Sequence, residues 1–305
     1  MRWTKLGFVF GPDGSRPWAR HTALQPTPVL TSNDAIRVFV GFRDGSGVSR
    51  VGWVDLSADD PREVLAECRQ PCFNIGEAGM FDENGVVPCA VARRDNALWM
   101  YYAGYMIPKT VRFIVFGGLA VSEDGGRSFR RRQRTPIVDR TEEGPLFRVI
   151  HCLLYEGGRW RTWYGAGDRF IPGDKKTLPV YNIRYMESKD GLQFPASGRT
   201  VLDVQGAEHR VGRPNVTRTP DGRFLMFFGY GSDARPYQLG LADSVDGLEW
   251  RRCDAELGLS LSAEGWDSQM MAYPAPITTR AGTFLFYNGN QYGRQGFGVA
   301  VLESW

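Results

Sequence analysis

Four carboxylates in this 305-residue chain keep a register with the apolar runs that follow them. Asp82 stands six residues before Pro88 and Glu208 six before Pro214, while Asp267 stands seven before Pro274 and Glu143 seven before Ile150. Carboxylates gathered without partners shift one another's pKa values, and a pair in which one is protonated and the other ionised performs acid/base chemistry. Singly, each acid also reads as a strand cap or an arginine's partner; as a set, they point to a common site. A second group of residues follows the aromatic runs: Arg43 and Asp44, Asp168 and Arg169, Asp233 and Arg235, and Asn290 and Arg294, with Tyr105, Tyr230 and Tyr292 nearby and Trp266 beside Asp267. Directional hydrogen-bonding groups next to flat rings suit a sugar, whose hydroxyls need partners and whose C–H faces stack on rings. The density of arginines, Arg213 among them, points to an anionic part of that ligand: a carboxylate, phosphate or sulfate. The three histidines are His21, His151 and His209. His151 lies inside an apolar run and reads either as a core histidine or as a ligand contact, and His209, beside Glu208, as a substrate contact.

These residues must be positioned by a repeat, because three markers recur along the whole chain. Prolines open the first strand of a unit at Pro26, Pro88, Pro214 and Pro274, and the gap from Pro88 to Pro214 has its midpoint near Ile150. Glycines close the aromatic run that follows, at Gly41, Gly104, Gly165, Gly229 and Gly289, with successive differences of 63, 61, 64 and 60. A short third strand starts at Gly52, Gly118, Arg184, Gly240 and Gly298. The stretch from Met80 to Gly104 shows one unit complete: an acid, a β-branched run, the polar turn Arg94-Asp95-Asn96, then an aromatic run.

A repeat of about 60 residues with several strands and no helical period predicts an all-β fold, a five-bladed β-propeller with four antiparallel strands per blade, built as one domain over residues 1–305. SFRR (Ser128 to Arg131) and EWRR (Glu249 to Arg252) supply fourth strands, and the last unit lacks one. The similar Arg2-Trp3-Thr4-Lys5 is expected to complete it and close the ring, which removes exposed sheet edges. Since strands alternate direction outward, the start of strand one and the loop from strand two to three share a face of the ring, so the acids and arginines above fall together. The turns SEDGGRSF, SKDGLQF and SVDGLEW fall on the other face and read as structural devices in which Asp124 and its counterparts bond local backbone. The segment Asp168 to Tyr181 reads as a long irregular insertion.

Composition excludes several classes. A formal charge of +3 with no run of like charges does not suit nucleic acid. No window approaches the roughly 18 apolar residues of a membrane helix, and MRWTKLGFVFGPDG is no signal peptide. Five scattered cysteines suit a reducing cytoplasm; Cys68 and Cys72 lie four apart without a second pair, so no metal site is expected. No P-loop, dinucleotide fingerprint or Ser/His/Asp spacing occurs, and no cofactor is expected.

With acids ahead of the inner strands, the pattern resembles the furanosidase-like five-bladed propellers, including glycoside hydrolase families 43, 32, 68 and 130, over the whole chain. The resemblance implies a glycosidase acting on a small sugar or glycoside. Carried over from family 43, Asp82 would be the base, Glu143 the residue that tunes and orients, and Glu208 the acid. The chain departs from that family where the tuning residue is Glu, where the ring starts one blade late, and where Glu143-Gly144-Pro145 itself resembles the acid motif. The expectation is an inverting hydrolase in which Asp82→Asn or Glu208→Gln abolishes turnover and spares folding. Phosphorolysis or glycosyl transfer, a non-catalytic carbohydrate-binding propeller and an interaction scaffold stand as alternatives.

Overall fold

A computed structural model describes every residue from Met1 to Trp305. The fold is all-β, with helix confined to two short turns, Asp254–Glu256 and Asn290–Gly293. Strand β1 (Arg2–Phe10) is followed by β2 (His21–Leu30), β3 (Ala35–Arg43), β4 (Ser49–Ser57) and the short β5 (Val64–Glu67). The same succession recurs as β6 (Val86–Arg94), β7 (Ala97–Met106), β8 (Ile114–Ser122) and β9 (Arg130–Arg131). It recurs again as β10 (Phe147–Glu156), β11 (Arg159–Ile171), β12 (Leu178–Ser188) and β13 (Arg199–Leu202), and as β14 (Arg210–Arg218), β15 (Phe224–Gly231), β16 (Gln238–Ser244) and β17 (Arg251–Arg252). The last group is β18 (Ala272–Thr279), β19 (Gly282–Asn288) and β20 (Phe297–Ser304), and β1 pairs antiparallel along β20, with Arg2 opposite Ser304 and Phe10 opposite Phe297.

Neighbouring strands within each group are antiparallel. Short parallel contacts link groups where Phe147 meets Val115 and where Tyr181 meets Arg210. The apolar faces of successive groups bury against each other. Phe39 and Val51 pack with Met100 and Phe116; Tyr101 and Leu119 with Ile150 and Tyr164; Trp163 and Ile183 with Phe224 and Phe228. Phe227 and Leu241 pack with Leu285 and Trp3, and Val38 and Phe42 with Phe286 and Phe297, so the last group also touches the first. The third-strand glycine has a steric cause. A Cβ on Gly118 would come within 2.3 Å of the Tyr102 ring, which lies across β8.

The proline marker also has a physical cause. Each first strand carries a bulge beside its proline, between Leu24 and Thr27, Pro88 and Ala90, Gly212 and Asn215, and Ala272 and Ala275. Proline has no N–H to give a ladder, so it belongs where the ladder is already interrupted. The group without a proline bulges between Ile150 and Cys152.

The three Ser-x-Asp-Gly turns are structural. The Asp124 carboxylate accepts from Ser122 Oγ at 2.7 Å, Arg127 N at 2.9 Å and Ser128 N at 3.0 Å, and Asp190 and Asp246 accept in the same way. The Asp168 to Tyr181 stretch departs from the irregular insertion expected. It is mostly a hairpin extension, Arg169 opposite Val180 and Ile171 opposite Leu178, held because Phe170 packs edge-on against Phe113 and Phe147. All five cysteines are buried and unpaired, and no helix is long and apolar enough to cross a membrane.

Candidate functional site

None of the four acids is in the wall of either cavity described below. Asp82, fully buried, accepts from Tyr102 Oη at 2.9 Å and from Arg131 Nε at 2.7 Å. Glu143 accepts from Tyr164 Oη at 2.6 Å, Arg148 Nε at 3.0 Å, Arg184 Nη1 at 3.0 Å and Gly198 N at 2.9 Å. Glu208 takes both Nη atoms of Arg252, at 2.8 and 2.9 Å, and Asp267 takes Lys5 Nζ at 2.6 Å and Tyr287 Oη at 3.0 Å. Each acid thus fastens the segment ahead of an inner strand to the outer strands of its own group. The carboxylates expected to gather without partners each have a basic partner within their own group. Buried carboxylates are retained when paired, and here the pairing is local to each repeat. A signal for this was present in the chain. The fourth-strand sequences SFRR, EWRR and RWTK each end on the base that closes the clamp: Arg131, Arg252 and Lys5. In the third group the arginine of β13, Arg199, pairs with Glu249 instead, and Arg148 and Arg184 close the clamp on Glu143.

The central cavity, of about 400 Å³, is walled by residues of all five first strands, β2, β6, β10, β14 and β18. Gln25, His151, Arg213 and Tyr273, four of the residues at the bulges, are in its wall. Three of these four hold left-handed backbone, with φ of 56° at Gln25, 56° at Arg213 and 58° at Tyr273. Such strain in non-glycine residues costs on the order of 1–3 kcal/mol each and gathers at functional sites. Tyr292, also in the wall, has φ of 60°.

The ionisable residues of the wall are cationic or neutral at neutral pH. Arg112 and Lys176 are exposed, Arg43 is half-buried, and Arg210 and Arg213 are buried. No Asp or Glu is in the wall. Arg213 donates to the Cys89 carbonyl and to Thr27 Oγ1 at 2.9 Å, with His151 Nδ1 at 3.5 Å, and has no carboxylate partner. Arg210 lies 4.1 Å from the Tyr237 ring centroid and donates to Tyr292 Oη at 3.2 Å. The Nε atoms of Arg43, Arg210 and Arg213 are buried without partners, which is rare for polar groups and marks places for a ligand or water. Burial, with Arg213 close by, holds the His151 imidazole well below its usual pKa, so it is neutral. Burial pushes Tyr105 up to about 12 and raises Tyr181, Tyr237 and Tyr273 as well, so these rings offer neutral hydroxyls and flat faces.

Of the residues expected to contact a sugar, Arg43, Tyr105, His151, Arg213 and Tyr292 are in this wall, and His209, Asp233 and Tyr292 are in that of an adjoining cavity of about 320 Å³. Asp44, Asp168, Arg169, Trp266, Asn290 and Arg294 are in neither wall. Asp44 is held by Ser46 N at 2.9 Å, Val48 N at 3.0 Å and Arg50; Asp168 and Arg169 pair with each other at the surface. Trp266 stacks on Tyr287 at 5.1 Å, and Asn290 Oδ1 caps Gln269 N at 2.7 Å and Met270 N at 3.0 Å. The Arg294 carbonyl accepts from Thr22 N at 2.9 Å. Arg112, Lys176, Tyr181, Arg210, Tyr237 and Tyr273 were not anticipated; only the position of Tyr273 beside a marker proline could have indicated one of them.

The fold is that of the glycoside hydrolase propellers. A solved structure described as a glycoside hydrolase superposes with a TM-score of 0.75 at 16% identity, covering 99% of this chain and 92% of that one. Another matches with a TM-score of 0.69 at 13% identity, covering 98% and 93%; it is described through the GH130 family of mannoside phosphorylases, which contains glycoside hydrolases that target β-1,2 mannosidic linkages in Candida mannan. In sequence, the chain belongs to the family of the uncharacterized protein Rv1502 of Mycobacterium tuberculosis strain H37Rv, with 33% identity over 305 residues and all of both chains covered. No family model matches it.

Proposed function

We propose that residues 1–305 form a single five-bladed propeller closed by β1, and that its central cavity binds an anionic carbohydrate, a sugar carrying a carboxylate, phosphate or sulfate. The ring is supported by the β1–β20 pairing and by the packing of the last group on the first. The single observation behind the ligand is the wall itself, which holds five cations and no carboxylate. Guanidinium groups bind oxyanions bidentately, and neutral tyrosines serve ring faces and hydroxyls. Hydrolysis by two carboxylates needs both within about 5–9.5 Å around the glycosidic bond. With Asp82, Glu143, Glu208 and Asp267 held in clamps, the wall favours recognition of the sugar over hydrolysis of that kind. The same cations favour a second reading, phosphorolysis or transfer with phosphate held in the cavity, and turnover that requires added phosphate would identify it.

Calorimetric titration with glucuronate, glucose 6-phosphate and glucose tests the proposal. The charged sugars should bind at least tenfold more tightly than glucose, and less tightly as salt rises. Arg210→Met should cost the charged sugars about 10- to 100-fold, the worth of a charge-assisted hydrogen bond. Equal affinity for the three sugars, or unchanged affinity in Arg210→Met, would refute it.

A further inference from the structure

We propose that the central and adjoining cavities are two lobes of one site, and that the second lobe takes a neutral, hydroxylated ring of the same ligand, with His209 Nε2 accepting a hydrogen bond from one of its hydroxyls. The inference rests on the anionic-sugar reading of the central lobe and extends it to a ligand of at least two rings.

The two cavities adjoin, since Arg210, Tyr292, Lys176 and Leu178 belong to both walls. Their chemistry differs. The second wall adds Ser232, Gln269, Gln291 and one carboxylate, Asp233, to His209, a mixture of donors and acceptors that suits hydroxyls and, unlike the central wall, sets an acid against the shared cations Lys176 and Arg210. Gln291 and Tyr292 hold left-handed backbone there, at φ of 53° and 60°, the strain already seen around the central lobe.

His209 is 2% exposed, and its Nδ1 lies 2.7 Å from the Pro179 carbonyl oxygen. A carbonyl only accepts, so the proton is on Nδ1 and the lone pair on Nε2. Nε2 has no partner, although it is buried on the opposite edge of a ring that forms part of the second wall. Burial also lowers the pKa of this imidazole, which keeps it in the neutral form that accepts. A buried acceptor without a donor is costly unless something supplies one, and a sugar hydroxyl would.

Two pairs of probes separate the lobes: methyl glucuronide and glucose 6-phosphate with one ring each, against a glucuronosyl-glucose disaccharide and cellobiose 6′-phosphate with two. The two-ring probes should bind more tightly, and the Nε2 nitrogen-15 resonance of His209 should shift with them and stay in place with the one-ring probes. Only three histidines contribute imidazole signals, so the one lost in His209→Asn assigns it. That variant keeps a donor for the Pro179 carbonyl and removes the Nε2 acceptor. It should weaken two-ring probes by about three- to tenfold, the worth of one hydrogen bond, and one-ring probes by less than twofold. Equal binding of one-ring and two-ring probes, a stationary Nε2 resonance, or an equal loss for both classes in His209→Asn would overturn the two-lobed site. Failure of the central lobe shows differently, as charged one-ring probes indifferent to Arg210→Met.

Discussion

Two sets of residues recur along the repeat in this protein, one in four of the five strand groups and one in all five, and they do opposite things. The acids ahead of the inner strands, Asp82, Glu143, Glu208 and Asp267, are regular in type and spacing, and each is paired with a tyrosine or a base of its own group. The residues at the inner-strand bulges, Gln25, Cys89, His151, Arg213 and Tyr273, share a position and differ in every side chain. The regular set holds the scaffold, because four of the five groups fasten the same joint. Four of the irregular set, Gln25, His151, Arg213 and Tyr273, are in the cavity wall, where the proposed ligand would meet a different side chain from each group. In a repeat protein, the conserved position with the varied residue is therefore the better guide to the site.

Breaking a clamp should have the largest effect. Glu143→Gln leaves Arg148, 3% exposed, without its counter-charge and should cost about 3–5 kcal/mol in urea unfolding, with sugar affinity unchanged in the folded protein. A stable Glu143→Gln that has lost its ligand would reverse the comparison.

Acid comes next. Burial is the largest cause of the lowered pKa of His21, His151 and His209. Below the ordinary histidine pKa of about 6.5 the unfolded chain binds protons that the folded chain does not, so stability should fall as pH drops from 7 toward 5. Each histidine contributes at most about 1.4 kcal/mol per pH unit, and His151→Gln should flatten the slope measured by urea unfolding across that range. An unchanged slope would mean that the bulge at His151 does not exclude the charged ring.

The smallest effect belongs to the outer turns. Asp246→Ala removes the acceptor for Leu248 N and Glu249 N at the surface, and should cost about 1 kcal/mol with no change in sugar affinity. A loss of binding in that variant would carry the ligand beyond the cavities described.

Much of the fold was legible in the chain. Pro26, Pro88, Pro214 and Pro274 fixed the inner strands because proline is tolerated only where the ladder breaks, and Gly118 fixed a third strand because a ring crosses it. The fate of the acids was not legible in the same way. Asp82 and Arg131 are 49 residues apart, and Asp267 and Lys5 are 262 apart. Their spacing reports that they are equivalent, not which way they face.

What the sequence determined by itself was the period, since strand alternation, turn chemistry and steric exclusion act between near neighbours and repeat with the chain. What the tertiary structure decided was which polar groups are neutralised and which are left for a ligand. Charge pairing depends on through-space distance between strands, and only the folded chain brings Arg131, Arg252 and Lys5 to the acids while leaving Arg210 and Arg213 in a cavity without one.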